Sequence, residues 1–130
     1  PVHPNPQVKP VMHEKLSGLA NVYLIDPVGY DEMLCLIRHA RLILTDSGGI
    51  QEEAPAFDVP VLVMREETER PEGITAGCAL LVGTNSGQIQ KAFHHLMCNK
   101  TAYDAMAYAP NPYGDGNAAQ RIVDILLSEV

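Results

Sequence analysis

The sequence predicts an α/β fold in which a parallel sheet carries helices on both faces, and three observations lead there. Short, continuously apolar runs alternate with longer amphipathic segments, a pattern of strands covered on both sides. One such run, Leu42 to Thr45, ends in Asp46-Ser47-Gly48-Gly49 and opens directly into a helical pattern. The chain has 130 residues, the length of one ordinary domain with a single core.

Asn5-Pro6 reads as a cap followed by a first-turn proline, and Val8, Val11, Met12 and Leu16 form one apolar stripe that ends at Gly18. Pro10 removes one hydrogen bond, so irregular first turns are expected. Asn21 to Ile25 is a short strand closed by Asp26-Pro27, and Tyr30 to Ala40 a helix. The strand Arg41 to Thr45, the glycine turn and a short helix from Ile50 to about Phe57 follow. Val59 to Met64 is another buried strand, whereas Arg65 to Gly77 is polar and long for a connection, as functional loops are. Ala79 to Val82 is the last strand. Helices are expected from Ser86 to Cys98, Thr101 to about Tyr108 and Asn117 to Val130.

In such a sheet the ligand crevice lies outside the carboxyl ends of the strands. The turns after Ile25 and Thr45 and the loop after Met64 all fall there. The glycine turn is the clearest of the three, because glycines admit a ligand close to the backbone and a helix start offers unpaired N–H groups with partial positive charge. An anion such as a phosphate suits it, although Ser-Gly-Gly also serves simply to turn a chain tightly. No Gly-Lys-Ser/Thr follows and the G-x-G-x-x-G spacing is missing, which argues against a Walker loop and an ordinary dinucleotide fingerprint.

Glu52 and Glu53 diverge by about 100° around a helix, so only one can face a ligand. An acid there repels phosphate and suits a neutral, hydroxyl-rich group such as a ribose, but both acids also fit a helix start without any ligand. Arg70, in the charged run Arg65 to Glu72, is a candidate cation for phosphate or one half of an orienting ion pair, and the run also reads as an ordinary solvated loop. Ser47 has neither a G-x-S-x-G setting nor an evident histidine partner. It reads as a hydrogen-bond donor to phosphate rather than a nucleophile.

A net charge of −7 with no basic cluster argues against an extended nucleic-acid surface. No apolar run approaches the length of a membrane span and no signal peptide is visible, which points to the cytoplasm. Cys35, Cys78 and Cys98 are widely spaced within or beside apolar segments and read as buried, reduced thiols. His94 and His95 read as surface residues, and no metal-ligand spacing is evident. Pro1-Val2-His3 carries no initiator methionine and reads as following a strand end, so a domain excised from a longer chain is expected.

His3-x-Asn5-Pro6, Ile25-Asp26-Pro27, Leu44 to Pro55, Pro60 to Arg65, Thr68-Glu69-Arg70-Pro71-Glu72 and Asn111 to Gly116 resemble, in order and spacing, the C-terminal half of the non-hydrolysing UDP-N-acetylglucosamine 2-epimerases. The resemblance covers essentially the whole chain. It implies the C-terminal, Rossmann-like, UDP-binding domain of a glycosyltransferase-B-like enzyme, spanning residues 1–130, with the N-terminal catalytic domain upstream. The implied reaction is anti elimination of UDP to a 2-acetamidoglucal and re-addition from the other face, interconverting UDP-N-acetylglucosamine and UDP-N-acetylmannosamine for surface polysaccharide synthesis. The implied partners are these ligands, the N-terminal domain and, at full length, a second subunit; no cofactor is implied.

The same resemblance implies that Ser47, Gly48 and Gly49 cradle the diphosphate, that Glu53 meets the ribose hydroxyls, that Arg70 lines the nucleotide site and that the Val28 backbone meets the uracil edge. His3 corresponds to a second, regulatory UDP-sugar site of some bacterial members. Met33 stands where an aromatic residue often stacks on uracil, and Glu67 replaces a common threonine in the Thr-Thr-Glu-Arg-Pro-Glu loop. The family's catalytic acids, N-terminal arginine and histidine lie upstream of Pro1, so this piece is not expected to catalyse alone. Two alternatives stand beside this reading: a glycosyltransferase of the same fold, and a non-catalytic nucleotide-sugar-binding module.

Overall fold

A computed structural model describes residues 1–128. The expected last helix ends with Glu129 and Val130, which lie outside the described residues. The chain divides into two units, Pro1–Leu36 and a second that begins at Ile37.

In the first unit, the Asn5 side chain accepts the Gln7 N–H at 2.8 Å and its carbonyl accepts from Val8 and Lys9, so the expected cap builds the lead-in to helix α1, Lys9–Leu16. Pro10 sits in the first turn of α1, where no intrahelical partner for its missing N–H is needed. The expected strand Asn21 to Ile25 is not formed: Val22 closes a turn on Leu19, and Ile25 accepts one backbone bond, from Val2 at 2.8 Å. An apolar run becomes a strand only where a neighbouring strand completes its ladder, and one bond does not. Helix α2, Tyr30–His39, starts at Gly29, whose N–H is accepted by Glu32 three residues on at 2.8 Å, half of a capping box.

The second unit holds a three-stranded parallel sheet in the order β1 (Ile43–Thr45), β2 (Val61–Val63), β3 (Ala79–Leu81). The strands are shorter than their apolar runs, as only the paired residues qualify. Val61, Leu62 and Val63 are all fully buried, so the central strand is covered on both faces, as its unbroken hydrophobicity requires. Leu62, Val82 and Leu96 form a core cluster against which Leu42, Met64, Ile89, Phe93 and Met106 pack. Each such buried side chain contributes about 1.5–3 kcal/mol.

Helices α5, Ser86–Cys98, and α6, Lys100–Ala107, supply that packing and start at asparagine caps. Asn85 accepts from Gly87 and Gln88, and Asn99 from Ala102. Helix α7, Ala118–Ser128, closes the described chain. The stretch Arg65 to Gly77 is not one long loop: helix α4 occupies Pro71–Ala76 and ends at Gly77, with φ +87°. The proline inside its start and the glycine past its end are ordinary helix punctuation, outweighed in the sequence by the surrounding charges. Cys78 is buried as expected, but Cys35 and Cys98 are exposed. Proximity to apolar residues in an amphipathic helix does not fix which face a side chain takes. His94 and His95 are exposed, as expected.

Candidate functional site

Thr45 ends β1 with a buried side chain whose hydroxyl accepts the Ser47 N–H at 3.0 Å. That bond turns the chain straight into helix α3, Gly48–Glu53, which tightens into a 3₁₀ turn at Ala54–Phe57. Ser47 is the N-cap residue, yet its side chain makes no capping bond and is exposed. Its hydroxyl is therefore not spent on the helix. Both glycines lie in the first turn of α3, and neither has positive φ.

The two glycines differ in what surrounds them. A Cβ on Gly49 would meet only the Ser47 Oγ, at 3.9 Å, so the fold has no steric need for glycine there. Glycine in a helix costs roughly 0.5–1 kcal/mol relative to alanine, and its use at an exposed position where alanine fits points to something that approaches from outside. At Gly48 a Cβ would stand 2.6 Å from the Glu69 Oε1. The Glu69 carboxylate thus rests against the turn and is also paired with Arg65. Its own backbone N–H, then the Arg65 charge, hold it below the usual carboxylate range.

The two acids of α3 go separate ways, as their angular separation requires. Glu52 pairs with the Arg70 guanidinium, which also donates to the Glu69 carbonyl at 3.2 Å. Glu53 forms no ion pair among the described residues. Burial, then the neighbouring Glu52 charge, push its carboxyl above the ordinary glutamate value. Arg70 is thus half of an ion pair across 18 residues, the second of the two roles open to it from sequence.

Two residues that sequence reasoning passed over tie the loop to the turn. Gln51 is fully buried; its amide donates to the Ser47 carbonyl at 3.2 Å and accepts from the Thr68 hydroxyl at 2.7 Å. Thr68 in turn accepts the Arg70 N–H at 3.1 Å. The signal was available: a glutamine on a face that continues into Ala54 and Pro55 must satisfy its amide inside the protein. Farther along, the Tyr113 hydroxyl accepts the Gly73 N–H at 3.1 Å, joining Asn111 to Gly116 to helix α4. Glu66 accepts from both the Thr84 N–H, at 3.0 Å, and its hydroxyl, at 2.8 Å.

Ser47, Gly48, Gly49, Glu53 and Arg70 therefore belong to one short turn, its helix and the loop pinned to it. The remaining candidates belong to the first unit. Val28 is half-buried just before α2, and Met33 is half-buried on α2 with its N–H on the Gly29 carbonyl. His3 is exposed, and its Nδ1 accepts the Asn5 N–H at 3.1 Å, which leaves Nε2 as the protonated nitrogen of the neutral ring.

The family model described as UDP-N-acetylglucosamine 2-epimerase matches residues 1–127. This chain belongs to that family. It is 54% identical over 126 residues to the UDP-N-acetylglucosamine 2-epimerase of Yersinia pestis and 52% identical over 126 residues to that of Escherichia coli K12, each match covering 97% of this chain and 34% of the relative. The chain thus spans about one third of the length of the curated relatives it matches. Among solved structures it resembles the Neisseria meningitidis UDP-GlcNAc 2-epimerase bound to UDP-GlcNAc, with TM-score 0.90, 45% identity and coverage of 97% of this chain and 34% of that one. The Staphylococcus aureus MnaA-UDP co-structure matches with TM-score 0.89 and 44% identity over 95% of this chain and 34% of that one. The epimerase family assignment and the glycosyltransferase-B-like architecture of these neighbours agree with the resemblance read from the motifs.

Proposed function

We propose that this chain is the C-terminal, UDP-binding domain of a cytoplasmic UDP-N-acetylglucosamine 2-epimerase, dimeric at full length. In this reading an N-terminal domain supplies the catalytic acids and this chain holds the leaving group. The observation that carries it is Gly49, an exposed helical glycine for which the fold has no steric use, at the turn that ends β1. A diphosphate set on the backbone N–H groups of Gly48 and Gly49, with the Ser47 hydroxyl donating, is the ligand that explains it.

Elimination leaves negative charge on the departing UDP, and N–H groups already aimed at the phosphates stabilise that charge as it develops. They hold the diphosphate equally for its return, so one cradle serves both half-reactions. Glu53 accepts from the ribose hydroxyls, while Glu52 and Arg70 neutralise each other and keep the loop in place. A diphosphate at Gly48 displaces the exposed Glu69 carboxylate, by like charge and by volume. His3 serves a separate UDP-sugar contact.

Product analysis of the full-length protein with UDP-N-acetylglucosamine tests this. UDP-N-acetylmannosamine is the expected product. Transfer of the sugar to an acceptor, or binding without turnover, would overturn the epimerase reading.

A further inference from the structure

We propose that Gln51 is a positioning residue for the diphosphate and that Thr68 locks it from the loop; this rests on the phosphate cradle proposed above. The Ser47 carbonyl and the Gly48 N–H share one peptide plane, in which they point in opposite directions. Holding the carbonyl therefore aims the N–H. The carbonyl is held twice by the same residue, by the Gln51 backbone N–H at 3.3 Å and by its side-chain amide at 3.2 Å. The amide is held in turn, because its oxygen accepts from the Thr68 hydroxyl at 2.7 Å, and that hydroxyl accepts from Arg70 N–H at 3.1 Å.

The cost of this arrangement shows that it is specific. An amide with no solvent exposure must have its polar atoms bonded, whereas an apolar side chain would fill the same space without that demand. The Thr68 to Gln51 bond, across 17 residues, joins the local Arg70–Thr68 bond of the loop to the local Gln51–Ser47 bond of the turn. The loop after β2 therefore sets the direction of an N–H on the turn after β1, without touching the ligand. Loss of either link leaves the Ser47 carbonyl held by the Gln51 backbone N–H alone, which loosens the Ser47–Gly48 peptide, and the effect falls on phosphate and not on base or ribose.

Calorimetry on the full-length protein, with UDP and uridine as probes, tests this. Thr68→Val keeps the shape and removes the hydroxyl; it is expected to weaken UDP by about tenfold, one hydrogen bond to a charged group, with uridine changed less than about twofold. Gln51→Leu is expected to do the same, and Thr68→Ser to restore UDP affinity. A purely structural role would lower both affinities together through the folded fraction. A folded Thr68→Val protein whose UDP-to-uridine ratio matches wild type, or Thr68→Ser as weak as Thr68→Val, would overturn the positioning role. Wild-type protein that binds UDP no more tightly than uridine would instead sink the cradle itself.

Discussion

Replacing Gly49 with alanine should raise stability and lower UDP affinity, two effects of opposite sign from one methyl group. The methyl meets only the Ser47 Oγ at 3.9 Å, so the fold accommodates it without strain. Alanine is the better helix former by about 0.5–1 kcal/mol, less in a first turn, so the melting temperature should hold or rise. On the ligand side the methyl stands on the exposed face from which a diphosphate must approach. Losing one hydrogen bond to a charged phosphate costs about 1.5–3 kcal/mol, or roughly ten- to a hundredfold in affinity. Thermal unfolding and UDP calorimetry on the same full-length preparation read both effects. Gly49→Ala protein that melts at or above the wild-type temperature and binds UDP as tightly would show that no phosphate approaches the backbone at Gly49.

Glu53→Ala should weaken UDP by about ten- to a hundredfold, while Glu52→Ala should weaken it less and cost below about 1 kcal/mol of stability, because its pair with Arg70 is partly exposed; calorimetry and unfolding on both variants check this. The carboxyl of Glu53 is raised, so the anionic form that ribose hydroxyls need should be lost at a higher pH than for an ordinary glutamate, visible as UDP affinity falling early on acidification. Asp115, held at about 2 first by the Arg121 side chain and then by Asn117, contributes stability that is complete above its ordinary value of 3.8 and lost as pH falls toward 2. NMR titration should place its midpoint near 2 and move it back up in Arg121→Gln. Tyr113→Phe removes the acceptor of the buried Gly73 N–H and should cost about 1–3 kcal/mol in denaturant unfolding.

The parallel sheet was legible because three short apolar runs alternate with helices and so find one another as neighbours, and β2, buried on both faces, is the most continuously apolar of them. Asn21 to Ile25 misled because strand formation is decided by a neighbour that a single segment does not encode. Pro71 and Gly77 marked α4 in the sequence, but the charged residues before them read as loop. At the site, the glycines and the divergence of Glu52 from Glu53 were readable from local geometry. That Gln51 must satisfy its amide inside the protein was readable too, but its partner was not, since Thr68 lies 17 residues away and only the folded packing brings the two together. Nor was the Glu69 carboxylate against Gly48, which gives that glycine a neighbour within its own chain.

A crystal structure of the full-length protein with UDP would bear most directly on the site. The diphosphate should lie on the backbone of Ser47, Gly48 and Gly49, with the ribose hydroxyls on the Glu53 carboxylate and Glu69 swung away from the turn. UDP bound elsewhere, or bound with Glu53 turned from the ribose and Glu69 still against Gly48, would contradict it.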